Sequence, residues 1–168
     1  MDRLYAPWRT EYVTTQDEKI KGCVFCHIVK NIKKDEELGV LYREKDFFIV
    51  MNKYPYSPGH FMIIPNCHTD KLEELSSDTW IRMNLFAQKG VMLLKDVLNA
   101  QGVNIGMNLG KIGGAGISEH IHLHLVPRWL GDTNFISSIG ETRVYSTNFK
   151  KIYHKLKKNV PKYFANTN

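Results

Sequence analysis

Short apolar segments separated by turn residues occupy the middle of the chain. They are rich in β-branched and aromatic residues and too short to be helices, which is typical of β-strands. The predicted strands are residues 40–43, 47–51, 61–65, 103–109 and 120–127. We therefore expect an antiparallel sheet of about five strands.

The segment 70–98 has apolar residues at helical spacing. Asp70 is expected to cap a short turn, and Ser77 or Asp78 to cap a longer helix. The apolar face of that helix is predicted to comprise Trp80, Ile81, Leu85, Phe86, Val91, Leu94 and Leu98.

Two further helices are predicted near the ends of the chain. Residues 24–32 favour a short helix, and the lysine-rich segment at about 145–168 favours an amphipathic one. Strands and helices together predict an α+β fold with the helices packed on one side of the sheet.

Composition limits the class of protein. A chain of 168 residues that is 43% hydrophobic fits a single domain, 1–168. The net charge of +6 alone does not predict nucleic-acid binding, because many of the lysines fall on the polar face of the last helix. The chain has no apolar leader and no apolar run of membrane-spanning length, so we expect a soluble cytoplasmic protein.

Three histidines alternate with aliphatic residues at the start of the last predicted strand. In an extended strand His120, His122 and His124 share one face and can attack, donate a proton or bind metal or phosphate. The outer two Cα atoms would lie about 13 Å apart, too far for all three rings to bind one ion. One of the three can therefore ligate a metal, but we do not expect all three to do so.

A glycine-rich loop, residues 108–118, precedes this strand. Glycines let the backbone approach an anionic ligand closely. The loop and the histidines together predict a phosphate-handling site.

The three cysteines of this chain do not suggest a disulfide scaffold. Cys23 and Cys26 have the spacing of a redox pair or half a metal site, and with His27 of a haem attachment motif. Haem attachment is disfavoured because it needs export from the cytoplasm. A structural zinc needs two more ligands than this pair supplies. Cys67 is expected to be a small core side chain.

The run His120-x-His122-x-His124, followed by residues 125–127 and preceded by the glycine-rich loop, resembles the histidine-triad (HIT) family of nucleotide hydrolases and transferases. Residues 56–65 look like the Pro-Gly-His strand of that family. Residues 4–13 and 127–136 are similar to a bacterial branch that includes diadenosine tetraphosphate phosphorylases. The resemblance covers about residues 1–140.

This resemblance implies a reaction at the α-phosphate of dinucleoside polyphosphates, through a nucleotidyl-histidine intermediate. It makes His122 the nucleophile and brings His124 against the transferred phosphate or the leaving group. It also implies a nucleotide site, with Asn52 at the ribose, Ile28 and Phe48 at the base, and Asn108, Gly116, Ile117 and Ser118 at the phosphate.

The chain departs from the family pattern at Gly116, where many relatives have Gln, Ser or Thr. Either Ser118 or a main-chain N–H replaces that contact, or the preferred substrate differs.

Relatives with the cysteine pair bind a structural zinc, which here implies the ligands Cys23, Cys26, His68 and His120. Family members are commonly homodimers, so a homodimer is expected.

Two alternative functions stay open. One is a nucleoside phosphoramidate hydrolase, and the other is a non-enzymatic, zinc-dependent nucleic-acid or interaction module. The intact triad argues against the second. The sequence leaves open the base and whether water or phosphate is the final acceptor.

Overall fold

The structure, a computed structural model, describes residues 22–133, 139 and 147–165. The predicted family segment 4–13 and the last residues of the segment 127–136 lie outside these residues.

The core of the fold is one sheet of five strands, which confirms the predicted fold class. Neighbouring strands are antiparallel, and their order across the sheet is β1-β2-β3-β5-β4. The strands are β1 (Val40–Arg43), β2 (Phe47–Met51), β3 (Phe61–Pro65), β4 (Gly102–Gly106) and β5 (Leu123–Arg128).

Three α-helices accompany the sheet. They are α1 (Val24–Lys30), α2 (Ser77–Leu98) and α3 (Phe149–Phe164). Side chains of α2 and α3 join one apolar cluster with one face of the sheet, whereas α1 joins a smaller cluster with Val50 and Met62 on the other face. The two long helices therefore cover one side of the sheet, and α1 lies on the side that carries the triad.

Helix α2 packs closely against the sheet at Gly90. A Cβ atom there would lie 2.9 Å from side-chain atoms of Leu125 and Phe61, so this crossing needs glycine. The predicted apolar face of α2 is wrong in part: Phe86 and Leu94 are buried, but Ile81 and Leu85 are exposed. Helical spacing alone does not separate two apolar stripes that face different surroundings.

Several predicted element ends are also wrong. Helix α2 has Ser76 as its N-cap, with no side-chain capping bond, rather than Ser77 or Asp78. Asp70 does not cap the short 3-10 turn Leu72–Glu74, because the hydroxyl of Thr69 accepts the neighbouring N–H of Lys71.

Strand β4 ends at Gly106 rather than at residue 109, and β5 begins at Leu123 rather than at residue 120. The chain before β5 is instead held by the N–H of Ile121, which donates to the carbonyl of Thr69 (2.9 Å).

The two edges of the sheet differ. At β1, Nζ of Lys157 donates to the carbonyls of Val40 (3.0 Å) and Leu41 (2.9 Å), and the hydroxyl of Tyr153 donates to that of Val40. Both donors come from α3. At the opposite edge, β4 is half-buried at its start and exposed from Asn104 onward. In the part of the chain that is described, no helix is long and apolar enough to cross a membrane.

Candidate active site and metal centre

The three triad histidines do not form one continuous row in a strand. Only His124 lies within β5, opposite Met62 of β3 and Gly106 of β4, while His120 and His122 precede the strand. The rings of His122 and His124 are 4.7 Å apart, and all three histidines are buried. His122 and His124 therefore lie together, and the surroundings of His120 are different.

A fourth histidine, His60, connects to the triad. Its Nε2 lies 2.9 Å from Nδ1 of His124, and its Nδ1 accepts the backbone N–H of Tyr56 (3.1 Å). An N–H can only donate, so Nδ1 of His60 carries no proton. The neutral His60 ring is then protonated at Nε2 and donates to His124.

This bond in turn fixes the tautomer of His124. Because Nδ1 of His124 accepts from His60, the proton of its neutral ring is on Nε2. That Nε2 is buried and has no hydrogen-bond partner among the described residues. His124 thus presents an N–H donor that a ligand can satisfy.

The opposite arrangement holds at His122. Its Nδ1 lies 2.9 Å from the backbone carbonyl of His120, which can only accept, so Nδ1 carries the proton. Nε2 of His122 keeps its lone pair. An imidazole held in this way is a nucleophile that needs no separate base.

Electrostatics keep these rings neutral. Burial, reinforced by His124 and His122, lowers the pKa of His60 to about 3. Burial and the neighbouring His122 lower the pKa of His124 to about 4. Burial also lowers the pKa of His122, although its bond to the His120 carbonyl acts in the other direction. The tautomers assigned above are therefore those present at neutral pH.

The ring of His120 faces the cysteine pair. Its Nε2 donates to the carbonyl of Pro65 (2.9 Å), which leaves Nδ1 as an acceptor 3.4 Å from Sγ of Cys23 and 3.8 Å from Sγ of Cys26. Nδ1 of His68 is 3.3 Å from Sγ of Cys26. All four ligand atoms lie within 4.8 Å of one another.

These distances fit a tetrahedral ion. With Zn–S near 2.3 Å and Zn–N near 2.0 Å, neighbouring sulfur and nitrogen ligands would be about 3.6 Å apart. The sulfur–nitrogen distances of 3.3, 3.4 and 3.8 Å bracket that value. Cys23, Cys26, His68 and His120 can therefore hold one metal ion. Cys67 is exposed rather than a core residue.

An apolar cluster borders His122. The ring of Phe25 from α1 lies 5.2 Å from that of His122 and 5.4 Å from that of His120. Phe25 shares its cluster with the predicted base contacts Ile28 and Phe48, and Ile117 packs against it. Ile28 is 6% exposed and Phe48 is wholly buried, so Phe48 lies beneath the cluster and has no surface of its own open to a ligand.

The glycine-rich loop folds tightly between β4 and β5. At Gly113 a Cβ would lie 2.3 Å from the carbonyl oxygen of Leu109, so only glycine fits. Gly116 differs, because a Cβ there would meet open space and its φ is not positive. The fold thus does not require glycine at this exposed position. Asn108 and Ser118 are half-buried on either side of it.

Asn52 immediately follows β2, at the same end of the sheet as His60. Its Oδ1 accepts the N–H of Tyr54 (2.9 Å), and its Nδ2 is 3.3 Å from Nδ1 of His60. The amide is therefore held beside the histidine chain and is half-buried.

Neither His60 nor Phe25 is predicted from the sequence to have a role in the site. His60 stands in the Pro-Gly-His segment already recognised there, so its position was the available signal. Phe25 lies between the two metal-ligand cysteines. No sequence pattern indicates that its ring contacts a histidine nearly 100 residues further on.

The chain is similar to known proteins in sequence and in fold. The HIT domain family matches residues 33–129. The AP-4-A phosphorylase of Mycobacterium tuberculosis is 36% identical over 151 residues, covering 86% of this chain and 76% of that protein. The bis(5′-adenosyl)-triphosphatase of Dictyostelium discoideum is 27% identical over 81 residues, covering 48% of this chain and 54% of that protein. A zinc-bound histidine triad family protein from Mycobacterium smegmatis superposes with a TM-score of 0.69 at 29% identity, covering 84% and 94% of the two chains.

Proposed function

Because the chain belongs to the histidine-triad (HIT) family, we propose that it is a nucleotidyl hydrolase or transferase acting on dinucleoside polyphosphates such as diadenosine tetraphosphate. It is an enzyme of that family, and the AP-4-A phosphorylase and the bis(5′-adenosyl)-triphosphatase support the substrate class. The observation that carries the proposal is the complementary pair of tautomers, a lone pair on Nε2 of His122 beside an N–H on Nε2 of His124.

The reaction would proceed in two displacements at the α-phosphorus. Nε2 of His122 forms an N–P bond while the P–O bond to the leaving group breaks, and the leaving oxygen keeps the electron pair. The His124 N–H donates a hydrogen bond to the oxygen that gains charge. Water or phosphate then attacks the same phosphorus, the N–P bond breaks, and its electron pair returns to His122.

The glycine-rich loop would supply the phosphate contacts. Backbone N–H groups near Gly116 and Ile117, with Asn108 and Ser118, suit the non-bridging oxygens on which charge develops. Gly116 supplies no side-chain donor. A main-chain N–H or Ser118 would take that place.

The nucleoside would lie across the end of β2. We assign Asn52 to the ribose and Ile28 to the apolar wall for the base, with Phe48 supporting that wall from beneath. The position of Asn52 beside His60 and the apolar cluster around Phe25 support this orientation.

The test is a product analysis with diadenosine tetraphosphate. Hydrolysis gives AMP and ATP, whereas phosphorolysis in the presence of phosphate gives ADP and ATP. His122→Ala should abolish turnover and form no nucleotidyl-histidine adduct, whereas the wild type and His154→Ala, which changes an exposed histidine on α3, should keep both. The adduct is trapped in alkaline denaturant, because the N–P bond to histidine is hydrolysed in acid.

Other products would decide against the proposal. Turnover of an adenosine phosphoramidate with none of diadenosine tetraphosphate would favour the phosphoramidate hydrolase. Near-wild-type turnover by His122→Ala would exclude His122 as the nucleophile.

We also propose that the metal is zinc and that its role is structural. Four protein ligands fill a tetrahedron, so no position is left for substrate. Through His120 the ion would hold the chain just before the nucleophile. Metal analysis should find one zinc per chain, lost in Cys23→Ala and kept in Cys67→Ala; zinc retained by Cys23→Ala would contradict the site.

A homodimer is the third part of the proposal. On α2, Ile81, Leu85 and Met92 form an exposed apolar stripe, and Ile105 on the exposed edge strand β4 is 49% exposed. A second copy would cover such a stripe and could pair with this edge about a two-fold axis.

Analytical ultracentrifugation tests the dimer. Ile81→Glu should shift the protein to monomer, because it would bury a charge in the interface. Ile32→Glu is the matched control, since Ile32 is 65% exposed on another element. A wild-type monomer at assay concentrations would contradict the proposal.

A further inference from the structure

Two tyrosines stand in the connection between β2 and β3, beside the histidine chain. Tyr54 and Tyr56 are each 53% exposed. The loop is held here by backbone groups, since the N–H of Tyr54 donates to Asn52 and the N–H of Tyr56 donates to His60. These two bonds use only the backbone of residues 54 and 56 and would form with any side chain there.

The ring of Tyr56 has a defined position in the site. Its centroid lies 4.9 Å from that of His60, with the two planes inclined by 34°, and 5.9 Å from that of His124, inclined by 37°. His124 in turn separates it from His122. The rings therefore run in the order nucleophile, leaving-group donor, tyrosine.

In the proposed mechanism His124 donates to the leaving oxygen, so Tyr56, which lies against His124, is on the side toward which the leaving group would depart. The apolar cluster of Phe25, Ile28 and Phe48 lies on the other side of the nucleophile. A dinucleoside polyphosphate has a nucleoside at each end. One end can use the apolar cluster, and the other then extends past His124.

We propose that Tyr56, assisted by Tyr54, stacks on the nucleobase of the leaving nucleotide. The inference rests on the proposed function and names the part of the site that distinguishes a dinucleoside from a mononucleoside polyphosphate. Base–aromatic stacking needs a π-face and tolerates any base, so this contact selects for the presence of a second base rather than for its identity.

The test compares two substrates that transfer the same AMP group. With diadenosine tetraphosphate the leaving group is ATP. With adenosine 5′-tetraphosphate the leaving group is inorganic triphosphate, which has no base. The measured quantity is the ratio of kcat/KM for the first substrate to that for the second. Loss of one stacking contact in Tyr56→Ala should lower this ratio roughly 5- to 150-fold.

Two further variants separate stacking from support of His60. Tyr56→Phe keeps the aromatic face and should keep the ratio. Tyr56→Leu keeps apolar bulk against His60 but has no aromatic face, so the ratio of kcat/KM values should fall as it does in the alanine variant. Ile32→Ala, exposed on the 3-10 turn after α1, is the matched control and should leave the ratio at the wild-type value.

Several outcomes would overturn the inference. A loss of kcat/KM that is equal for both substrates would make Tyr56 only a support for His60. A ratio preserved in Tyr56→Leu would exclude stacking. If the wild type turned over neither substrate, the proposed function itself would fail, and the inference with it; that result is visible before any variant is made.

Discussion

The hydrogen bond between His60 and His124 gives the sharpest test of the site, because the two nitrogens of His60 have separate partners. Nδ1 accepts from the Tyr56 backbone and Nε2 donates to His124. The amide of asparagine extends about as far as Nδ1, and that of glutamine about as far as Nε2. His60→Asn should therefore keep the Tyr56 bond, and His60→Gln the His124 bond.

The magnitudes follow from one lost bond in each variant. An unsatisfied buried group costs about 1–3 kcal/mol, so both variants should lose a similar free energy of unfolding. Only His60→Asn removes the donor that fixes the His124 tautomer. If the same 1–3 kcal/mol is lost from the transition state, kcat falls about 5- to 150-fold in His60→Asn.

The assay pairs urea unfolding with kcat on diadenosine tetraphosphate at pH 7. We expect similar destabilisation in the two variants, but kcat within a few-fold of wild type in His60→Gln alone. Equal loss of kcat in both variants, or no loss in His60→Asn, would refute the argument that His60 acts by fixing the tautomer of His124.

Three other predictions concern stability. The pKa of His60 is depressed from 6.5 to about 3, so the unfolded chain binds the extra proton between these values; stability should be full above pH 6.5 and fall as pH drops. The pKa values of His124 and His122, which face His60, are also lowered and contribute in the same direction. When the free energy of unfolding is measured in urea from pH 7 to 5, its slope against pH should be shallower in His60→Asn by up to about 1.4 kcal/mol per pH unit. An unchanged slope would contradict this prediction. Chelation of the metal should lower Tm measurably, and an unchanged Tm after complete metal removal would argue against a structural ion. Lys157→Met, which removes two bonds to β1 carbonyls, should cost about 2 kcal/mol, whereas Lys158→Met on the exposed face should cost under about 0.5 kcal/mol; equal effects would count against the edge contact.

The sequence predicted β1, β2 and β3 to the residue because each is a run of apolar residues bounded by turn residues. It placed the start of β5 wrongly, since alternation continues through His120 and His122 although the backbone there bonds to Thr69 instead of a strand. Periodicity describes the side chains, whereas the end of a strand depends on which backbone partners are in reach.

The metal ligands could be predicted from the sequence, whereas the histidine tautomers could not. Resemblance implied Cys23, Cys26, His68 and His120, and the structure brings these four together. The chain His60–His124 depends on a contact between residues 64 apart in sequence, and the direction of its protons depends on a backbone N–H. Such properties arise only from the folded arrangement.

The lysine that closes the β1 edge also limits how the molecule can associate. A sheet with two available edges could add copies at both ends and grow into an open-ended fibre. Here Lys157 and Tyr153 occupy the carbonyls of Val40 and Leu41 at one edge, so among the described strands β4 offers the more open edge. In the proposed dimer joined through β4, each outer margin would be a β1 edge whose carbonyls at Val40 and Leu41 are already occupied, which disfavours growth beyond two copies.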